Sequence, residues 1–406
     1  MKFSPALAPI CAAVAAPLLA AACSSSGQAT PSGDAGAAPA NDASSPQNTA
    51  DEAGGGDVAS PPVSTPDASD ASAPDDDTGA PASAPDASDG GEGTPTYLNP
   101  VINADFPDPF VLRQGAAYYA FATNAGSKNI QAASSTDLAH WTILPDALPT
   151  LPAWAQANAG LTWAPSVLQL GPSSFVMYYT ARDTASGFQC VSHAEATSPA
   201  GPYVDSTGSA FVCQVSGATS FCGSIDPSPF VDTNGDLYLV WKSDENSAAC
   251  SKPPRLWSAP LAADGLSVTG PATELLIMDQ AWQQPIIEGP TMTVVAGTYY
   301  LVYSANNYES AAYSMGYATC LSATGPCENV SVNGPFVSSA GTALGPGGGS
   351  FFSDTNGALW LAYHAWTAPV TTYAGGGARS LRIDRMLVDD AGTLTLEGPT
   401  TSPQAL

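Results

Sequence analysis

Three acidic residues stand at comparable places in a repeated sequence pattern. Asp108, Asp226 and Glu288 each open a segment that has a proline close by, then a short apolar strand, a tight turn and an aromatic-rich strand. Three carboxylates brought to one place repel one another, so their convergence needs a reason. They could bind calcium, or their pKa values could be pushed apart so that one donates a proton while another accepts one. The pattern predicts a cation site or an acid–base centre; the alternative is that each acid caps a turn beside its proline.

The same outline occurs five times, and its period predicts the architecture. The segments are DPFVLRQGAAYYAFAT from Asp108, APSVLQLGPSSFVMYYT from Ala164, DPSPFVDTNGDLYLVWK from Asp226, EGPTMTVVAGTYYLVYS from Glu288 and GGSFFSDTNGALWLAYH from Gly348. A period near sixty residues suits one four-stranded sheet per repeat, and radial repetition of such sheets gives a β-propeller. We therefore predict an all-β, five-bladed β-propeller over residues 97–406, with the first residue of each repeat facing one end of the channel. A sandwich with hairpins that are alike by accident is the alternative.

The first 96 residues have a different character. Lys2 precedes a mostly apolar run interrupted by Pro9 and Pro17, and small residues then lead to Cys23. This predicts an export signal over residues 1–23 of the lipoprotein type, with Cys23 lipidated and the protein anchored to an outer or cell-surface membrane; plain secretion is the alternative. Residues 24–96 are rich in Ala, Ser, Pro, Gly and Asp and carry thirteen acidic residues without a Lys or Arg, which predicts a disordered acidic linker.

Charge and cysteine content narrow the functional classes. The net charge of −26, with only ten Lys and Arg, argues against a nucleic-acid partner, which needs a basic footprint. An even number of later cysteines in an exported chain predicts disulfides, and the absence of a CxxC pair disfavours a zinc site. Cys320 and Cys327 flank a short loop suited to one bridge. The pairing of the others stays open among Cys190, Cys213, Cys222 and Cys250.

Several segments together resemble one enzyme family. They are NPVINADFPDPFVL, SSTDLAHW at 134–141, TWAPSV at 162–167, SIDPSPF at 224–230, IIEGPTM at 286–292, and YHAW with GGGARSLRID at 363–384. In this order they resemble glycoside hydrolase family 43, inverting five-bladed propeller enzymes that act on arabinose- and xylose-containing polysaccharides. By position, the resemblance implies Asp108 as general base, Asp226 as the residue that positions and tunes the acid, and Glu288 as general acid. It implies a plant cell-wall polysaccharide or oligosaccharide as substrate, and we expect a monomer.

Other residues are weaker candidates. Arg379 resembles the family arginine that contacts substrate near the acid pair, and Trp163, Phe106 and Trp282 are aromatic candidates for stacking on a sugar. His364 is a candidate for a metal or substrate contact, against the alternative of a structural histidine. Many family members carry a Gly-Pro-Gly-His segment in the fifth repeat, whereas residues 345–348 read Gly-Pro-Gly-Gly. We therefore expect no required cofactor, and the departure puts a structural calcium in doubt.

The sequence leaves two rival functions open. One is a carbohydrate-binding propeller without catalysis, which would keep the aromatic residues but would not need three acids. The other is a related propeller hydrolase acting on fructans, as in family 32, whose acid lies in a Glu-Cys-Pro setting where this chain has Glu-Gly-Pro. Loops between blades would decide between arabinofuranoside and xylopyranoside substrates and between exo and endo attack.

Overall fold

The computed structural model describes residues 95–157, 160–215 and 221–406. The predictions for the export signal, for lipidation of Cys23 and for the linker up to residue 94 lie outside these ranges. Within them the regular secondary structure is β-strand, apart from one short 3₁₀ helix at Ala281–Gln283. No helix in the described ranges is long and apolar enough to cross a membrane.

The prediction of a five-bladed β-propeller is confirmed. After β1 (Thr96–Tyr97), the blades are antiparallel sheets, and the first strands of adjacent blades pack against one another around the ring. Blade one comprises β2 (Phe110–Gln114), β3 (Ala117–Ala122), β4 (Gln131–Ser135) and β5 (Thr142–Ile143). Blade two comprises β6 (Trp163–Gly171), β7 (Ser174–Arg182) and β8 (Gln189–Ala196). Blade three comprises β9 (Ser224–Val231), β10 (Leu237–Ser243), β11 (Arg255–Pro260) and β12 (Thr273–Ile277). Blade four comprises β13 (Ile287–Val295), β14 (Thr298–Ala305), β15 (Ser314–Cys320) and β16 (Cys327–Asn329). Blade five comprises β17 (Ala343–Ser353), β18 (Leu359–Thr367), β19 (Ser380–Val388) and β20 (Leu394–Leu396), and β21 (Gln404–Ala405) ends the chain.

The aromatic-rich second strand of each blade is buried on both faces. In β18, seven of nine residues are buried, because the sheets of neighbouring blades cover both sides. Such strands read as continuous apolar runs and not as alternating patterns. The TNGD segment forms the tight turn between β9 and β10, where Gly235 has a φ of 83° that favours glycine.

The chain ends close the ring between blades one and five. β1 pairs with β21, and the Asn99 side chain both donates to the Ile383 carbonyl at 2.8 Å and accepts from the Ile383 N–H at 3.0 Å. A single apolar cluster joins residues from both ends of the propeller, among them Phe106 and Trp360. This closure brings the start of blade one against blade five.

Three disulfides cross-link the propeller domain. The predicted bridge between Cys320 and Cys327 is confirmed, and it joins β15 to β16. The pairing that the sequence left open is Cys190–Cys213 and Cys222–Cys250. Disulfides persist in oxidising compartments, which agrees with export.

Candidate active site

Each blade begins with one residue in the left-handed backbone region. We call these the opening residues; they have φ between 46° and 60° and are Asp108, Ala164, Asp226, Gly289 and Gly348. A residue with a Cβ loses about 1–2 kcal/mol in this conformation, so its presence at Asp108 and Asp226 points to a position that the surrounding structure imposes. The opening residues lie close together at the channel, since a Cβ added to Gly348 would lie 2.9 Å from Oδ1 of Asp108.

Blade four differs from the predicted register by one residue. The repeat spacing assigns Glu288 as its opening residue, but Gly289 has the left-handed backbone. Glu288 pairs with Ser304 across the first hairpin, as Trp163 pairs with Thr180, and the pairing then shifts at a bulge. Glu288 is therefore equivalent to Trp163 and lies one position before the opening residue.

A regular set of hydrogen bonds links neighbouring blades around the channel. The last residue of each repeat segment, which we call the closing residue, lies at the end of the second strand. In four blades it accepts the N–H of the next opening residue: Thr123 from Ala164 at 2.9 Å, Thr180 from Asp226 at 3.2 Å, Ser304 from Gly348 at 2.8 Å, and His364 from Asp108 at 3.0 Å. These bonds fix the opening residues, and hence the Asp108 and Asp226 carboxyls, relative to one another.

The Asp108 carboxylate is held by two side-chain donors. Thr123 donates to Oδ2 at 2.7 Å, and an Arg379 guanidinium nitrogen donates to Oδ1 at 3.3 Å. The carboxylate is 24% exposed, so a substrate or a water molecule can still approach it. The two donors orient a carboxylate that remains accessible from the channel.

His364 lies beneath Asp108 and is fully buried. Burial, with the nearby Arg379 cation, lowers the pKa of His364 well below its ordinary value, so the ring is neutral at neutral pH. Its Nδ1 accepts the Asp108 N–H, so the ring proton belongs on Nε2. Although Nδ1 is also 3.4 Å from Oδ1 of Asp108, a neutral ring makes no ion pair there. The described ranges contain no group of three or more His, Cys, Asp and Glu residues that could hold a metal ion.

Two tyrosine rings and Asp105 hold Arg379 in place. Its guanidinium carbon lies 4.7 Å from the centroid of the Tyr308 ring and 5.6 Å from that of Tyr373, and its Nε donates to the Tyr373 hydroxyl at 2.9 Å. Its backbone N–H donates to Oδ1 of Asp105 at 3.0 Å. Asp105 thus supports the arginine that contacts Asp108. Burial is the main cause of a raised pKa at Asp105.

The pKa of the Asp226 carboxyl is raised. Burial raises the pKa of its carboxyl to about 7; the Lys242 cation opposes this rise, and the charges of Glu288 and Asp108 add to it. Oδ2 accepts the Gly289 N–H at 2.9 Å, which places Asp226 against the peptide that follows Glu288. Asp226 is therefore partly protonated at neutral pH.

Glu288 has one neutral and one cationic partner. The Tyr313 hydroxyl donates to Oε1 at 2.8 Å, and Lys242 donates from Nζ to Oε2 at 3.2 Å. Tyr313 is itself buried and stacks on the His364 ring, with centroids 5.8 Å apart. The Glu288 side chain stays 16% exposed. The site as a whole can take a proton at one carboxylate and supply one from a separate acidic pair.

The three aromatic candidates differ in their exposure and in the residues they pack against. Trp163 is partly exposed at the position equivalent to Glu288. Phe106 is 1% exposed and packs in the apolar core between blades one and five, so the prediction that it stacks on a sugar is wrong. Trp282 packs with its ring against Tyr303 and donates to the Ser331 carbonyl at 2.8 Å, which assigns it a packing role.

Lys242 and Tyr313 are site residues that were not predicted from the sequence. Lys242 had a signal, because it is the closing residue of the third repeat, where the other repeats end in Thr, Thr, Ser and His. A lysine in that series cannot accept a hydrogen bond when protonated. Tyr313 follows the fourth repeat segment in a loop, and no pattern in the sequence singles it out.

Comparisons with known proteins point to one enzyme family. A model of the family described as Glycosyl hydrolases family 43 matches residues 97–394. The β-D-galactofuranosidase of Aspergillus niger is 27% identical over 325 residues, which cover 74% of this chain and 86% of that protein. An extracellular endo-α-(1→5)-L-arabinanase of Thermotoga petrophila is 29% identical over 162 residues, 34% of this chain and 33% of that protein. The crystal structure of a thermostable family-43 glycoside hydrolase superposes with a TM-score of 0.66 at 29% identity, covering 76% of this chain and 98% of the other.

Proposed function

The chain belongs to glycosyl hydrolase family 43, and on this premise we propose that it is an exported, inverting glycosidase of arabinose- or xylose-containing polysaccharides or oligosaccharides. The observation that carries the proposal is the division of the site into two parts. Asp108 is held by Arg379 and Thr123, whereas Asp226, whose pKa is raised, lies against the peptide that follows Glu288 on the other side. A base and a proton donor in one exposed site are what glycoside hydrolysis requires.

The proposed reaction is a single displacement. Asp108 takes a proton from a water molecule, whose oxygen forms the new bond to the anomeric carbon. Glu288 gives its proton to the glycosidic oxygen as the bond from that oxygen to the anomeric carbon breaks. Asp226 accepts the Gly289 N–H and so orients the peptide that follows Glu288. When it is ionised, its negative charge favours retention of the proton on the donor until the glycosidic oxygen takes it. Room for the water requires base and acid carboxyls roughly 6.5–9.5 Å apart.

The substrate class rests on the relatives. Arabinan is the substrate of the Thermotoga petrophila enzyme by its name, and the Aspergillus niger enzyme acts on β-D-galactofuranosides by its name. We place pentose polymers of plant cell walls first, as the family resemblance implies, and a galactofuranoside second, as the name of the Aspergillus niger relative, which covers 74% of this chain, suggests. The three disulfides and the extracellular relative support export, and the lipid anchor at Cys23 stays a proposal.

A substrate panel tests the proposal. Purified protein is assayed on the nitrophenyl α-L-arabinofuranoside, β-D-xyloside and β-D-galactofuranoside, on arabinan and xylan, and on inulin as the fructan control. We expect turnover of at least one furanoside or xyloside, with inversion at the anomeric carbon seen by NMR. Sugar binding without any turnover would support a carbohydrate-binding propeller instead, and turnover of inulin alone would favour a fructan hydrolase.

A further inference from the structure

Lys242 interrupts the hydrogen bonds that link neighbouring blades. The closing residues of the other four blades accept the N–H of the next opening residue. Lys242 holds the same place, since it pairs with Ile225 as Thr180 pairs with Trp163. The N–H of Gly289 is accepted by Asp226 instead. The exception frees the Lys242 side chain for another contact.

That contact is with the candidate proton donor. Nζ of Lys242 lies 3.2 Å from Oε2 of Glu288 and 3.8 Å from Oδ1 of Asp244, and the lysine side chain is 1% exposed. In the part of the chain that the structure describes, Lys242 and Arg379 are the two basic side chains that form ion pairs with the three acids. Arg379 therefore lies beside the candidate base, and Lys242 lies beside the candidate proton donor. A cation beside the base is expected, but a cation beside a proton donor needs an explanation.

We propose that Lys242 is a positioning residue for proton donation, whose ammonium group stabilises the negative charge that forms on Glu288 as the glycosidic oxygen is protonated. This inference rests on the proposed function. In the step, the Glu288 proton moves to the glycosidic oxygen, the bond from the anomeric carbon to that oxygen breaks, and its electron pair stays on the oxygen. Glu288 becomes a carboxylate 3.2 Å from Nζ. A charge that grows in the transition state is stabilised most by a partner already in place and shielded from water.

The charges around Lys242 support this role. Burial opposes its charged form, yet its pKa is raised, because Glu288, Asp244 and Asp226 all attract the ammonium group. The groups that face the lysine and Glu288 from the neighbouring elements are Asp226, Asp244, Asp108, Tyr308 and Tyr313. Tyr313 is neutral because its pKa is raised well above its ordinary value by burial. The positive charge of Lys242 therefore offsets the negative charges of the acids that surround it.

The test measures how the rate depends on the leaving group. In Lys242→Met, hydrolysis of a disaccharide or alkyl glycoside, whose leaving oxygen needs a proton, should fall by about 100-fold in kcat/KM. Hydrolysis of the nitrophenyl glycoside, whose leaving group needs little protonation, should fall by less than about tenfold. Lys242→Arg should recover most of the loss. Lys252→Met is the matched control, since Lys252 is exposed and should behave as wild type.

The pH profile gives a second readout. Loss of the cation should move the alkaline fall of kcat/KM up by about one pH unit, because the proton donor then stays protonated to a higher pH. Asp244→Asn removes a negative charge at the other side of Lys242 and should move the same limb to lower pH. This second variant keeps the side-chain shape, so it remains informative if Lys242→Met does not fold.

The outcomes separate this inference from the proposed function. A wild-type protein without glycosidase activity would overturn the proposed function itself. An active wild type, with equal losses on both leaving groups in Lys242→Met and no opposite pH shift in Asp244→Asn, would show that Lys242 only stabilises the fold. A thermal unfolding curve for each variant ensures that the compared proteins are folded.

Discussion

The backbone N–H of Asp108 donates to Nδ1 of His364 at 3.0 Å, so a side chain of the fifth blade holds the opening residue of the first. The two residues are 256 positions apart in the chain. This bond can form only in the closed ring, in which blades one and five are adjacent. The candidate base consequently depends on a histidine that reaches it only through closure.

This relationship predicts a pH-dependent stability effect at His364. Because its pKa in the folded state is lowered, the unfolded chain binds a proton first, and stability is lost as pH falls below the ordinary histidine pKa of about 6.5. His364→Gln should lower the free energy of unfolding at pH 7 by about 1–3 kcal/mol, since it disturbs the bond to Asp108. The gap between wild type and variant should narrow toward pH 5, by at most about 1.4 kcal/mol per pH unit. Urea unfolding at pH 7, 6 and 5 measures this, with the exposed His140→Gln as control; a gap that widens toward acid pH would contradict the assignment of a neutral His364.

Asp108 and Asp105 should differ sharply in their effects on hydrolysis. Asp108→Asn should lower kcat/KM by more than about 1,000-fold, because the base is removed while the Thr123 bond can persist. Asp105→Asn should cost only about tenfold, since Asp105 acts through the backbone N–H of Arg379. Steady-state kinetics on one active substrate, with unfolding temperatures alongside, compare the two. Similar losses in both variants would mean that Asp108 is not the base.

Asp226 should be costly to stability and necessary for activity. Its folded pKa of about 7 lies above its unfolded value, so the stability that this group contributes when protonated is lost as pH rises from about 4 to 7. Asp226→Asn keeps an acceptor for the Gly289 N–H and should raise the free energy of unfolding at pH 8 by about 1–3 kcal/mol. At pH 4 the two proteins should be nearly equal, and hydrolysis should be almost abolished at every pH. Urea unfolding at pH 4 and pH 8 decides the matter, and a destabilised variant at pH 8 would count against the raised pKa.

Arg379 should not be replaceable by lysine. The guanidinium group reaches Asp108 from one nitrogen and the Tyr373 hydroxyl from another while it stacks on Tyr308, and a single ammonium group cannot make these contacts together. Arg379→Lys should lower kcat/KM about 100-fold. Tyr373→Phe, which removes one bond but keeps the ring, should cost less than about tenfold. The exposed Arg113→Lys is the control, and a fully active Arg379→Lys would show that charge alone suffices.

The sequence alone determined the fold class, the number of blades and the three acids. Apolar strands, tight turns and a period near sixty residues are local properties, and they were enough to predict a propeller with Asp108, Asp226 and Glu288 near one end of its channel. The family resemblance added roles for these residues, which stay predictions. One disulfide was readable from its short loop, whereas the other two pairs lay too far apart in the chain to choose between.

Only the tertiary structure decided the partners of those acids. Glu288 lies one position before its predicted register, because Gly289 has the left-handed backbone of the opening residue, which a count of residues cannot show. Phe106 turned inward because the chain ends pack together there, and Lys242 met Glu288 because adjacent blades place their strands side by side. These contacts join residues dozens to hundreds of positions apart. Their geometry follows from ring closure and interblade packing, and no local pattern in the sequence encodes it.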